Sequence, residues 1–306
     1  MASITAHPAA RRVTCEHKLD NLVIGSAGHR VSERQTAGPK RSAFPITASP
    51  DSNNILVNHR PEKIRQYYLA LLRRWGPQNW WPAQSRFEVV VGAYLTQNTN
   101  WSNVEKAIAT LRRAHVLSVK GIREAPLRRL ERLVRSSGYF RQKARRLKNF
   151  VAFLDASYGG SLEHMFAQPT EKLRAELLAL NGVGPETADS ILLYAGNHSL
   201  FVVDAYTRRI MERHGIISSK TGYEEVRSLV EEAISRAKPE SLRILHAGAE
   251  PRHPVSRMSA RQRDHLSGHY NELHALIVRT GNEYCRKAPR CEGCPLKKYL
   301  VAPVVH

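Results

Sequence analysis

Leu180-Asn181-Gly182-Val183-Gly184-Pro185-Glu186-Thr187-Ala188-Asp189 is the stretch whose reading decides the fold. Ahead of it, Pro169-Thr170 opens an amphipathic run in which Leu173, Leu177 and Leu180 recur at helical spacing. Behind it, Ala188, Ile191, Leu192 and Ala195 repeat that period. The pattern is helix, two-glycine hairpin, helix. Gly182 and Gly184 are expected to take backbone angles closed to other residues and to leave their amides unshielded. Pro185 suits the first helical turn, where its missing amide costs nothing. Amides from Gly182, Val183, Gly184 and the second helix's N-terminus then point outward together, which is a seat for a phosphate. Such a contact fixes register on a polyanion without reading its bases. A bare Gly-x-Gly also reads as a helix cap followed by a new helix.

Helical periodicity continues on both sides. From Pro61, Ile64, Tyr67, Tyr68 and Leu71 share a stripe that ends at Gly76-Pro77. The pattern predicts further helices at about 86–98, 102–114, 126–136, 141–157, 170–180, 186–197, 205–214, 222–236, 240–247 and 265–281. Val/Ile alternation is nearly absent outside the short Leu200–Val203 run, so the expected class is all-α. Residues 1–58, rich in Ala, Ser, Thr, Pro and Gly, read as a disordered tail. The segment from Ala247 to Arg263, with Pro251 and Pro254, reads as a surface loop.

Lys and Arg number 47 against 27 acidic residues in 306, a formal charge of +20. Seven basic and four acidic residues lie in the tail, so the remaining 248 residues carry 40 against 23, and the positive field belongs to the folded part. That favours a polyanionic partner, nucleic acid ahead of an acidic membrane surface. The longest greasy stretch, Ile191–Val203, is interrupted by Asn197 and His198, so no membrane span is expected. Arg11 and Arg12 are not followed by an apolar segment, which argues against a secretory signal and for the cytoplasm. Four cysteines are too few for a disulfide scaffold, and three crowd between positions 285 and 294, which reads as metal ligation.

Taken with Val202-Val203-Asp204 downstream, the motif at Leu180–Ala188 resembles the helix-hairpin-helix DNA glycosylases of the endonuclease III superfamily. Gly92-Ala93-Tyr94-Leu95-Thr96-Gln97-Asn98-Thr99 is similar to the family segment whose glutamine fills the gap left by a flipped nucleotide. Gly138-Tyr139-Phe140-Arg141-Gln142-Lys143-Ala144 is similar to its wedging loop. The resemblance covers roughly residues 61–300. It implies two helical domains with a cleft between them: 80–199 as a helical barrel holding the hairpin, and 59–79 with 200–306 as a second domain carrying a C-terminal cysteine loop. It also implies double-stranded DNA containing a damaged base as the partner of a monomeric enzyme.

Hydrolysis of an N-glycosidic bond builds positive charge on the sugar, so a carboxylate beside C1′ stabilises it and can orient or deprotonate water. Asp204, after a buried apolar run and ahead of helical Ala205–Ile210, suits that task; as a lone residue it also reads as a helix N-cap. Bifunctional members place a lysine in the hairpin, and its amine forms a Schiff base. Here that position is Glu186, which cannot, so the expectation is a monofunctional hydrolase. Glutamate there also resembles the 3-methyladenine glycosylase branch, which implies alkylated purines as substrates. Trp80, Trp81 and Trp101 are available for stacking on a base or for the core. A bifunctional glycosylase/lyase and a non-catalytic helix-hairpin-helix DNA-binding protein are the alternative functions.

Base removal from a duplex requires the nucleotide to be flipped out. Gln97 and Tyr139 are the candidates for filling the hole and wedging the stack. Arg141, Lys143, Arg145 and Arg146 are candidate phosphate contacts. Cys285, Cys291 and Cys294, followed by Pro295-Leu296, resemble the family's iron-sulfur loop and imply a [4Fe-4S] cluster, with zinc or free thiols as alternatives. The family's fourth cysteine is replaced by Leu300; Cys15 in the tail, a non-cysteine ligand or a solvent-derived one could complete the set.

Overall fold

The computed structural model describes residues 59–237, 242 and 253–300; the regular structure among them is helical, and no strand occurs. The order is α1 (Arg60–Trp75), α2 (Arg86–Thr96), α3 (Trp101–Arg113), α4 (Val119–Glu124), α5 (Leu127–Leu133), α6 (Phe140–Tyr158), α7 (Leu162–Phe166), α8 (Thr170–Leu178), α9 (Pro185–Ser190), α10 (Ala205–Arg213), α11 (Tyr223–Ser235) and α12 (His265–Glu283). The expected all-α class holds. The tail at 1–58 and the helix expected at 240–247 lie outside the described residues, Leu242 apart.

Around α2 the first half of the chain is built. Every residue from Phe87 to Leu95 is buried, so this helix has no solvent face and must be covered on all sides. It is packed by α3, α6 and the turn that continues α9. Its start is fixed by Ser85, which accepts the Glu88 N–H. Burying each of Val89, Val90 and Val91 is worth about 1.5–3 kcal/mol, and all three are fully enclosed. At the other end of the chain, α12 runs for 19 residues with Tyr270, Leu273, His274 and Ile277 buried. It contacts α1, α10 and α11.

Two expectations are corrected. The helix predicted at 186–197 is α-helical only to Ser190 and continues as a π-helical turn, Ile191–Gly196. Residues 253–263 are not simply a surface loop, because Ser256 and Met258 are buried there. The Met258 N–H donates to the Ala83 carbonyl at 3.1 Å, and Arg263 Nη1 donates to the Leu193 carbonyl at 3.0 Å. The final carbonyls of a helix lack intrahelical donors, and a guanidinium delivered by this segment supplies one.

Candidate active site and hairpin

The hairpin joins α8 to α9. Leu173 and Leu177 are fully enclosed, and Asp189, also enclosed, is paired with Arg174 at 2.6 Å. The Tyr223 hydroxyl adds a bond to Asp189 at 2.9 Å. Gly182 has φ +78°, so the backbone favours glycine, and a Cβ there would lie 2.0 Å from Arg146 Nε and displace that side chain. Gly184 differs from expectation: its φ of −97° is ordinary extended backbone, and a Cβ would meet nothing within 4 Å. Its bareness leaves open surface beside a helix start that no side chain caps. The Val183 side chain is buried and its N–H donates to the Leu180 carbonyl at 3.0 Å. The Val183 amide is therefore engaged within the turn, while the first-turn amides of α9 after Pro185 have no intrahelical acceptor.

Asp204 is the N-cap of α10, its Oδ1 accepting the Thr207 N–H at 2.7 Å and the Thr207 hydroxyl at 2.8 Å. The preceding run Leu200–Val203 is buried and tied down by its amides: Phe201 N–H donates to Glu231 at 2.8 Å and Val203 N–H to the Tyr223 hydroxyl at 3.3 Å. Oδ2 lies 3.6 Å from His274 Nε2, and the side chain keeps 12% of its surface open to solvent. The carboxyl is thus fixed in place without being sealed off. Glu186, in the first turn of α9, reaches solvent, yet crowding by protein and then the charge of Asp204 push its carboxyl up to about 7. The charge of Asp204 is thus felt at Glu186, and the hairpin motif holds no lysine.

Gln97 caps the C-terminus of α2 and its amide is held inside the protein. Nε2 donates to the Gly182 carbonyl and the Thr187 hydroxyl, each at 2.9 Å. Tyr139 stands at the N-terminus of α6 in left-handed conformation, φ 44°, with 66% of its surface exposed. Of the four basic residues beyond it, Arg141 and Arg145 are exposed. Lys143 is not a phosphate contact as expected: it is buried, and its ammonium donates to the carbonyls of Leu95 at 2.9 Å and Ser137 at 2.6 Å. Burial, then Arg146, lowers it to about 8. The three tryptophans cluster, with Trp81–Trp101 and Trp81–Tyr194 ring centroids 5.1 and 5.0 Å apart. Trp80 and Trp81 are buried among protein atoms, and Trp101 is half-buried.

Cys285, Cys291 and Cys294 line one cavity of about 280 Å³, together with Leu300. Arg213 Nη1 lies 3.3 Å from Cys285 Sγ. Burial pushes the Cys294 thiol up, with Cys291 and Cys285 adding to the rise. Among the described residues no three Cys, His, Asp or Glu side chains converge on a metal-ion position; Cys15 lies outside them.

Sequence reasoning missed His274 and Arg263, both of which touch the surroundings of the site. A lone histidine on the apolar face of a helix reads as core, and an arginine in a proline-containing segment reads as solvated. Neither carries a local signal.

Residues 91–236 match the family described as HhH-GPD superfamily base excision DNA repair protein. The Methanocaldococcus jannaschii protein "Putative DNA repair glycosylase MJ1434" is 41% identical over 242 residues, covering 79% of this chain and 97% of that one. Endonuclease III of Thermotoga maritima is 27% identical over 214 residues, 70% of this chain and 81% of its own. Among solved structures, the H. pylori 3-methyladenine DNA glycosylase MagIII bound to 1,N6-ethenoadenine superposes with a TM-score of 0.57 at 27% identity, covering 73% of this chain and 97% of its own. The chain belongs to the HhH-GPD, or endonuclease III, superfamily of base excision DNA repair proteins. No helix among the described residues is long and apolar enough to cross a membrane.

Proposed function

We propose that this chain is a monofunctional DNA glycosylase that hydrolyses the N-glycosidic bond of a flipped, alkylated purine and leaves an abasic site. The observation that carries the reading is the Asp204–Glu186 pair beside the hairpin. It offers a fixed carboxylate for the charge developing at C1′, and a carboxyl where a lyase would need an amine. Asp204 is the catalytic residue, stabilising the oxocarbenium-like sugar and orienting the attacking water. Glu186, pushed up to about 7, exchanges protons with that water near neutrality. A cationic alkylated base is already a good leaving group, so stacking matters more than a strong acid. The half-buried Trp101 and the ligand in the H. pylori relative both support that substrate class.

DNA lies across the cleft between the segment 80–199 and the remainder. The first-turn amides of α9 hold a phosphate, Tyr139 wedges the stack, and Gln97, released from Gly182, faces the orphaned base. The three thiols around one cavity fit a [4Fe-4S] cluster better than zinc. A cluster spreads its irons over the corners of a cube, whereas zinc needs its ligands around one point. Cys285, Cys291 and Cys294 would hold such a cluster, with Leu300 standing where the family's fourth cysteine falls. Bound there, the group would tie the loop together, and no step of base release runs through it.

A base-release screen over alkylated, oxidised and deaminated duplexes tests the substrate, with Asp204→Asn as control. Release is expected from the alkylated duplex and is expected to fall by about 10³-fold or more in D204N, with DNA binding retained. Borohydride should trap no wild-type complex. A trapped adduct lost on replacing a lysine would refute the monofunctional route.

A further inference from the structure

The structure assigns a positioning role to His274, which no sequence motif singled out. We propose that His274, polarised by Tyr194, orients the Asp204 carboxylate through a proton on Nε2. This rests on the reading of Asp204 given above.

Tyr194 and His274 are both enclosed, and the tyrosine hydroxyl lies 2.6 Å from His274 Nδ1. On the far side of the ring, Nε2 is buried, has no hydrogen-bond partner and sits 3.6 Å from Asp204 Oδ2. A buried polar nitrogen without a partner is costly. One aimed at a carboxylate just beyond bonding range is a donor awaiting a small movement. The direction of the chain follows from charge. A lone pair on Nε2 would face the negative Oδ2, so Nε2 carries the proton; in the neutral ring Nδ1 is then the acceptor, and the Tyr194 O–H donates to it. Burial holds the imidazole below its usual range even against the attraction of Asp204, so the ring is neutral.

Neutrality suits the chemistry. An imidazolium beside Asp204 would cancel the negative charge that the sugar cation needs, whereas a neutral N–H turns the carboxylate without discharging it. Oδ1 is held by Thr207, and His274 controls the remaining freedom, rotation that swings Oδ2. The groups that face Asp204 from neighbouring elements are Glu186 on α9, Tyr194 in the π-helical turn and His274 on α12. His274 alone presents a donor to Oδ2. Tyr194 also packs on Trp81, at 5.0 Å between centroids, so the chain connects the aromatic cluster with the carboxylate.

The test is single-turnover and steady-state base release by the full chain carrying His274→Phe, His274→Gln or Tyr194→Phe, with melting temperature and duplex affinity measured alongside. H274F keeps the ring and loses the donor; kcat should fall about 10- to 100-fold, the worth of one hydrogen bond to a charged group. KM and duplex affinity should not change. H274Q places an amide N–H near the same point and should recover most of the loss. Y194F frees the tautomer and should cost a smaller factor in kcat alone. Equal loss in H274F and H274Q, or wild-type kcat in H274F, would overturn the proposal. If H274F does not fold, Y194F at wild-type kcat overturns it equally. D204N separates the two readings: full activity there refutes the role of Asp204 itself, while an inactive D204N with an unimpaired H274F refutes only the role of His274.

Discussion

Arg146 Nη1 donates to Gln97 Oε1 at 2.6 Å, and this bond joins α6 to the C-terminal cap of α2. The same arginine lies against Gly182, where a Cβ would collide with its Nε. Gln97 completes the link with its own bonds to Gly182 and Thr187. The loop ahead of α6 and the hairpin are therefore braced on one another through Arg146 and Gln97.

Replacing Arg146 with Met should loosen the hairpin without unfolding the chain. The stem keeps its packing, and a charge-assisted hydrogen bond worth about 1.5–3 kcal/mol is lost. Hydrogen exchange should accelerate at residues 180–188 and stay unchanged in α10 and α12. Uniform acceleration would show that the brace is not local.

Glu186 gives a pH prediction with a definite sign. Although it reaches solvent, its carboxyl is raised from an ordinary 4.5 to about 7 by the protein atoms crowding it, with Asp204 adding to the rise. The folded chain therefore holds that proton more tightly than the unfolded chain. The resulting stability is present below about 4.5 and is lost as pH climbs through about 7. Glu186→Gln removes this dependence, so its melting temperature relative to wild type should be higher at pH 8 than at pH 5. Parallel pH profiles for the two proteins would contradict a raised Glu186 carboxyl.

Tyr139 exposes 66% of its surface, so Tyr139→Ala should leave stability within about 0.5 kcal/mol of wild type. Base release from duplex DNA should nevertheless drop, and release from a single strand, where no stack has to be opened, should drop far less. An equal loss on both substrates would mean that the side chain serves something other than extrusion.

Protein purified without oxygen should contain iron and absorb in the visible. Cys291→Ala should abolish both and lower the melting temperature, since the loop around the cavity loses its organiser. Zinc at one equivalent with no iron would replace the cluster assignment.

What could be read from the residues followed from short-range rules. Leu173, Leu177 and the Gly182 turn announce α8 and its end, and Asp204 announces the start of α10 through N-cap chemistry. Gly184 was over-read, because Gly-x-Gly suggests two special conformations where only the first residue has one. Lys143 was over-read too: charge implies a solvated surface, and its burial against Leu95 and Ser137 depends on carbonyls that only the tertiary arrangement brings together. His274 lies 70 residues beyond Asp204, and Arg263 reaches back to Leu193. Periodicity carries no information over such separations.

The bonds that seal α1 impose an order on biosynthesis. Lys63 donates to the His214 carbonyl at 2.9 Å, Tyr67 meets the His214 ring at 2.8 Å and Tyr68 meets His269 at 2.8 Å. None of those partners has been translated when residues 60–75 leave the ribosome. That greasy stripe must wait, exposed, for more than 130 further residues. Its vulnerability to aggregation and chaperone capture is thus set by elongation rate, and slowing translation between α1 and α12 should trap nascent chains that a faster ribosome would complete.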